Sequence, residues 1–331
     1  MEHPNLGRAW PETRAALSPE HRRLAFLDAA RGLAVGGMLV ANLLNVFLRR
    51  VPGPLAHNQG DVLRLFDFPA PTFQFLVGVS LALFLDKRRA RGLTRVGAQT
   101  AALRRFVLLI GLGVVLDCFG SLQPLPKWGV LQTLGLGGVV ATLLDPLPDA
   151  PITGIALGLL ALFFGGAAGE VHGGPVAALA FVPLTLAGLL VGRRLRAPHR
   201  ADDFGRRAVA VALAGFVIAA GAYAAGVPFN KILGTSSFVA LTGGTAAVLL
   251  LAVWAAELRG VRFPAWLLVV GSNALTAWVL QYVLVYYPAW LVFPAWHRLA
   301  LVPGMAAVGG TLVALSVLTI ALGRRGIRIP I

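Results

Sequence analysis

A single cysteine, Cys118, stands in 331 residues, so no intrachain disulfide can form. Charge is scarce as well. Charged residues make up 13% of the chain, about half the usual share for a soluble domain. Acidic residues are the scarcer sign, 14 against 29 basic, giving a formal charge of +15. Histidine occurs only six times, and no His, Cys or carboxylate set has metal-ligand spacing, so metal binding has no support. The basic excess is divided among clusters between apolar runs and does not form one basic domain, which excludes a nucleic-acid partner.

Apolar residues are abundant. They account for 57% of the chain, and mean hydropathy is +0.76. With about 20 residues per crossing, the pattern predicts an all-α, polytopic integral membrane protein of about ten spans. They run approximately over 26–48, 68–85, 106–119, 130–144, 152–168, 176–191, 208–225, 238–254, 266–285 and 302–322. A basic arm (1–24) precedes this domain (25–323) and a basic tail (324–331) follows it. The first span follows an arm of about 24 residues and exceeds the ~7–15 of a signal-peptide core, so it is expected to remain as a helix.

Arginines set the expected orientation. Lys87, Arg88, Arg89, Arg91, Arg95, Arg104 and Arg105 follow the second span, and Arg193, Arg194, Arg196, Arg200, Arg206 and Arg207 follow the sixth. By the positive-inside rule both clusters are cytoplasmic, as are both termini. The loops with His57, Lys127, Glu170, His172 and Lys231 then face outward. The loop with Asp145 and Asp149 holds no basic residue and favours neither side.

His57 lies in the short hydrophilic stretch between the first two spans, with Asp67 ten residues downstream. An imidazole beside a carboxylate at the mouth of a bundle suits proton transfer. Asp67 also fits the start of the second helix, ahead of Pro69 and Pro71, where a cap would be its structural role. Asp28 and Arg31 share one face of the first span as an anchor or a functional pair. Asn42, Gln132, Asn273 and Gln281 are polar amides within spans, able to line a cavity or to join helices. His172 and His297 read as solvated or interfacial residues.

Leu27-Asp28-x-x-Arg31-Gly32 through Asn42, then His57, then Asp67 with Pro71-x-Phe73-x-Phe75-x-x-Gly78-x-Ser80 resembles the heparan-alpha-glucosaminide N-acetyltransferase family of transmembrane acyltransferases and its bacterial members. The resemblance continues through Gly129-Val130-Leu131-Gln132, Pro228-x-Asn230-Lys231 and Gly271-x-Asn273. It implies transfer of an acetyl group from cytosolic acetyl-CoA, as co-substrate, to an extracytoplasmic amino sugar or other envelope glycan, in a bacterial inner membrane. It implies His57 as the essential group with Asn42 beside it; on chemical grounds His57 would act as base or transient acyl carrier, with Asp67 orienting the imidazole. Asp28, Arg31, Gln132, Asn230, Lys231, Asn273 and Gln281 become candidates for the substrate cavity, and Arg104, Arg105, Arg193 and Arg194 for the CoA phosphates. Pro126-Lys127-Trp128, Thr133 and Gln281 depart from the family pattern and bear on the acceptor. The large extramembrane domain of the lysosomal enzyme has no counterpart among the matching segments, so a polymeric heparan acceptor is not implied. A homodimer is compatible with all of this. The rival readings are a multi-span transporter and a non-catalytic glycan-binding membrane protein.

Overall fold

The structure is a computed structural model that describes residues 24–56, 60–122, 128–167, 174–195, 201–292, 299–327 and 329. Twelve α-helices occur in these residues: α1 (Ala25–Phe47), α2 (Pro69–Ala90), α3 (Arg95–Ser121), α4 (Val130–Leu144), α5 (Asp149–Leu162), α6 (Pro175–Ala178), α7 (Val182–Gly192), α8 (Ala201–Ala224), α9 (Ser236–Leu258), α10 (Ala265–Ser272), α11 (Ala274–Gln281) and α12 (Leu301–Arg324). There is no strand among the described residues. One isolated parallel bridge, Leu48 to Leu299, ties the exit of α1 to the approach of α12.

Each expected apolar run contains helix among the described residues, and seven helical stretches there are long and apolar enough to cross a membrane. The other three runs correspond to α3, whose interior carries Arg104, Arg105 and Asp117, and to the shorter helices α4 and α5. With its large exposed side chains lying along these helices, the chain is an integral membrane protein.

Helices associate here through glycine. A Cβ at Gly78 on α2 would lie 2.0 Å from the Thr185 carbonyl oxygen on α7, and one at Gly188 only 1.9 Å from that of Phe75. Gly271 on α10 meets the Asp28 carbonyl of α1 in the same way, at 1.8 Å. The α3/α4 pair closes over Gly135 and Gly138, and α8/α9 over Gly215 and Gly244. In a bilayer the lipid tails are as apolar as leucine, so close backbone approach, and not hydrophobic burial, selects these partners.

Three expected boundaries are corrected. The second helix starts at Pro69, because Leu65–Asp67 form a separate 3-10 turn. The fifth ends at Leu162, where the chain turns and Ala167 N–H donates to the Leu233 carbonyl at 2.8 Å. The ninth is not one regular helix. It breaks at Asn273 (φ −122°) and continues beyond Gln281 as π-helical turns, Tyr282–Tyr286 and Pro288–Val292.

The expected inner loops share one end of the bundle. Arg89 at the end of α2 pairs with Asp145 (2.5 Å), and Arg193, Arg194 and Arg207 converge on Asp149. The acidic α4–α5 turn, uninformative as sequence, thus sits among the basic helix ends. Burial of Asp149 works against ionisation, but hydrogen bonds from Arg193 and Arg207 outweigh it and hold the carboxyl below its usual range.

Candidate active site

At the opposite end, the loop leaving α1 meets the loop between α8 and α9. Asp67 has no exposed surface. The 3-10 turn directs its carboxylate back to the Arg64 N–H at 2.7 Å, and the Lys231 ammonium stands 3.5 Å from the other oxygen. Asp67 therefore caps its own turn and not α2, whose preceding residue Phe68 makes no side-chain cap. Asn230, next to Lys231, donates to Asp61 at 2.8 Å and accepts from the Leu233 N–H at 2.9 Å. Burial pushes the Lys231 ammonium below the ordinary lysine range, while the Asp67 charge partly restores it.

His57 lies outside the described residues, as do Lys127, His172 and His297. Its described flank is placed, however. Leu55, and Phe66 beside Asp67, both pack against the cluster of Leu43, Leu44, Phe47 and Ala289, as do Val40 and Tyr286.

Tyr286 leads to a second polar group. Asn42 on α1 donates to the Gln281 side-chain oxygen at 3.0 Å, and the Gln281 amide donates to the Leu39 carbonyl at 2.7 Å. The predicted cavity amides Asn42 and Gln281 thus meet across α1 and α11. Beyond Gln281 the π turn presents Tyr282, Tyr286 and Tyr287, with ring centroids 5.0 to 6.2 Å apart. A π turn widens the helix locally and is a frequent device at functional sites. Tyr287 donates to the Leu116 carbonyl at 2.5 Å on α3, and the next residue, Asp117, accepts from the Gln132 amide on α4. A continuous wall therefore runs from Asn42 through Gln281 and the tyrosines to Asp117 and Gln132.

Asp117 is absent from the sequence-derived set. Its signal is a lone carboxylate closing the apolar run Val114-Val115-Leu116. Asn273 does not join this wall. Its amide donates to Val269 and Ser272 on its own chain, and its side-chain oxygen is buried without a hydrogen-bond partner among the described residues.

At the basic end, Arg31 reaches Asp28 at 3.0 Å and donates twice to the Ser80 hydroxyl, at 2.6 and 3.1 Å. Arg88 and Arg105 flank the Phe84 ring, with guanidinium carbons 5.1 and 4.6 Å from its centroid. Arg31 and Arg88 both lie near enough to repel Arg105. Of the four arginines expected to hold phosphate, Arg105 is in this cationic group, while Arg104 is exposed on the same helix. Arg193 and Arg194 lie in the neighbouring cluster around Asp149.

Comparison with known proteins finds similarity in the first half of the chain. Residues 23–171 match the family model for heparan-alpha-glucosaminide N-acetyltransferase, catalytic. A heparan-alpha-glucosaminide N-acetyltransferase of Mus musculus is 30% identical over 158 residues, which are 42% of this chain and 22% of that protein. The chain thus aligns with about a fifth of the length of that curated relative. The matched stretch carries Asp28, Arg31, Asn42, His57, Asp67, Asp117 and Gln132, and over it the chain is similar to the heparan-alpha-glucosaminide N-acetyltransferase family.

Proposed function

We propose that this protein is a membrane-bound acyltransferase that moves an acetyl group from cytosolic acetyl-CoA to an extracytoplasmic acceptor, an amino sugar or another envelope glycan. The observation that carries the reading is the placement of the His57 flank. Leu55 and Phe66, on either side of His57, both pack against the Leu43, Leu44 and Phe47 cluster of α1, beside buried Asp67 and within the matched region.

The two ends of the bundle divide the work. Arg31, Arg88 and Arg105 form a cationic rim suited to the CoA phosphates, with Arg104 nearby. Eleven residues of α1 separate Arg31 from Asn42, about 16 Å at helical rise, or half of a ~30 Å hydrocarbon core. A CoA arm entering between the helices from the rim carries its thioester toward Asn42, whose amide is held by Gln281. The Asn42 side chain polarises the thioester carbonyl. The acceptor ring lies against Tyr282, Tyr286 and Tyr287, with Asp117 accepting hydrogen bonds from its amino or hydroxyl groups.

The acceptor nitrogen or oxygen attacks the carbonyl carbon while His57 takes its proton. The carbon–sulfur bond breaks, and the CoA thiolate recovers a proton from the imidazolium. Asp67 orients the imidazole, and Lys231 holds Asp67. In the alternative order, His57 carries the acetyl group briefly before the acceptor arrives.

The test is turnover of radiolabelled acetyl-CoA by purified protein, with and without glucosamine, for wild type and His57→Ala. Acetyl transfer that is lost in the variant supports the reading. A thioester left intact by the folded wild type overturns it and returns the chain to the transporter class.

A further inference from the structure

An open groove lies away from the site described above, between α5, α7, α8 and α9. Leu157 and Leu160 of α5 form one wall and Ala214 and Ile218 of α8 the other, with Leu184 and Gly243 beneath them. Thr153 supplies the one side-chain hydroxyl. From Thr153 to Leu160 the groove extends about 10 Å along the helix axis, at ~1.5 Å per residue. Leu157 and Ala214 stand open at the mouth, so the groove faces the bilayer.

One end of this groove is strongly polar. Asp149 lies one turn from Thr153 on α5, Arg193 and Arg194 follow Leu190 of α7 by about a turn, and Arg207 lies one turn from Val211 on α8. Arg89 and Asp145 complete the cluster. Four guanidiniums thus face two carboxylates, leaving an excess of positive charge. The Nε–H groups of Arg89 and Arg193 are buried without a hydrogen-bond partner among the described residues. Buried donors of this kind call for an acceptor.

We propose that the groove holds one acyl chain of an anionic phospholipid, with its phosphate seated against Arg193, Arg194 and Arg207. The apolar walls accept the hydrocarbon, and the excess charge selects an anionic over a zwitterionic headgroup. The site uses none of the residues that the proposed function gives to acyl transfer, which places CoA on Arg31, Arg88 and Arg105 and not on Arg193 and Arg194.

Native mass spectrometry of the full protein tests the proposal, after exchange into detergent with phosphatidylglycerol or phosphatidylcholine. One phosphatidylglycerol should survive delipidation in preference to phosphatidylcholine. Ala214→Phe and Leu157→Trp, on opposite walls and both open to lipid, should each remove it by filling the groove. The two variants are on different helices, so failure of one to fold leaves the other informative. Arg207→Gln should lower the phosphatidylglycerol preference about fivefold, the share of one near-surface arginine. Equal retention of both lipids, or retention untouched by the two filling variants, would overturn the proposal. So would a photo-crosslinker at Ala214 that captures a second copy of this chain and no lipid.

Discussion

The pairing of Asp67 with Lys231 separates stability from activity in a single mutant cycle. Asp67 is fully buried, and the Lys231 side chain is 20% exposed. Breaking a buried ion pair by removing one partner costs about 3–5 kcal/mol, because the remaining charge stays out of water. Asp67→Asn falls toward the lower end of that range, since water reaches part of the ammonium. Lys231→Met falls toward the upper end, because a carboxylate with no exposed surface loses its cation. The double variant carries neither charge and should recover about 2 kcal/mol or more of the summed loss. Chemical unfolding in detergent, followed by fluorescence of the seven tryptophans, measures each corner. The activity readout should behave differently: if Asp67 orients His57 as proposed, acetyl transfer stays low in both Asp67 variants even where stability returns.

The same cycle has a pH signature. Burial already lowers the Lys231 pKa, and Asp67 opposes that. Asp67→Asn removes the opposition, so the folded value falls further below the ~10.4 of an unfolded lysine. Between the folded and unfolded values the unfolded chain binds more protons, and stability therefore rises with pH in that window. The deficit of Asp67→Asn relative to wild type should shrink as pH is raised from 7 toward 10. Additive losses within ~0.5 kcal/mol, together with a deficit independent of pH, would refute the coupling.

His57→Ala should abolish transfer while leaving the detergent unfolding curve at its wild-type position; retained turnover would remove His57 from the chemistry. Gly78→Ala should destabilise by about 1–3 kcal/mol or more, because its Cβ would meet the α7 backbone at 2.0 Å, whereas Gly310→Ala has nothing within 4 Å and should leave the unfolding midpoint unshifted or raised. Gln281→Ala should lower kcat more than it raises KM for acetyl-CoA, since it releases the Asn42 amide and not the phosphate rim; an effect confined to KM would place Asn42 outside the transition state. A reporter fused after Val62 should behave as extracytoplasmic, and cytosolic behaviour would invert the assigned orientation.

Periodicity and composition made the helices legible because a lipid-facing helix must be apolar along a whole span, a requirement written residue by residue. The order of Asp28, Arg31, Asn42, His57 and Asp67 was legible for a related reason, since short-range motifs survive in linear spacing. Partnerships between distant helices were not. Nothing local distinguishes Gln281, which meets Asn42, from Asn273, which bonds back to its own helix. Asp145 and Asp149 look like a plain acidic turn until Arg89, Arg193, Arg194 and Arg207 close on them.

The linear chain by itself determined an all-helical membrane protein, a family resemblance and a set of candidate site residues, because hydropathy and motif spacing are properties of contiguous residues. Only the tertiary structure decided that Asp67 is held by Lys231 across more than 160 residues, and that a π turn carries three tyrosines to Asp117. It also decided that the α4–α5 turn lies at the basic end of the bundle. The physical reason is that these contacts follow from which glycine faces allow two helices to touch, and that depends on shape in three dimensions, to which no local pattern corresponds.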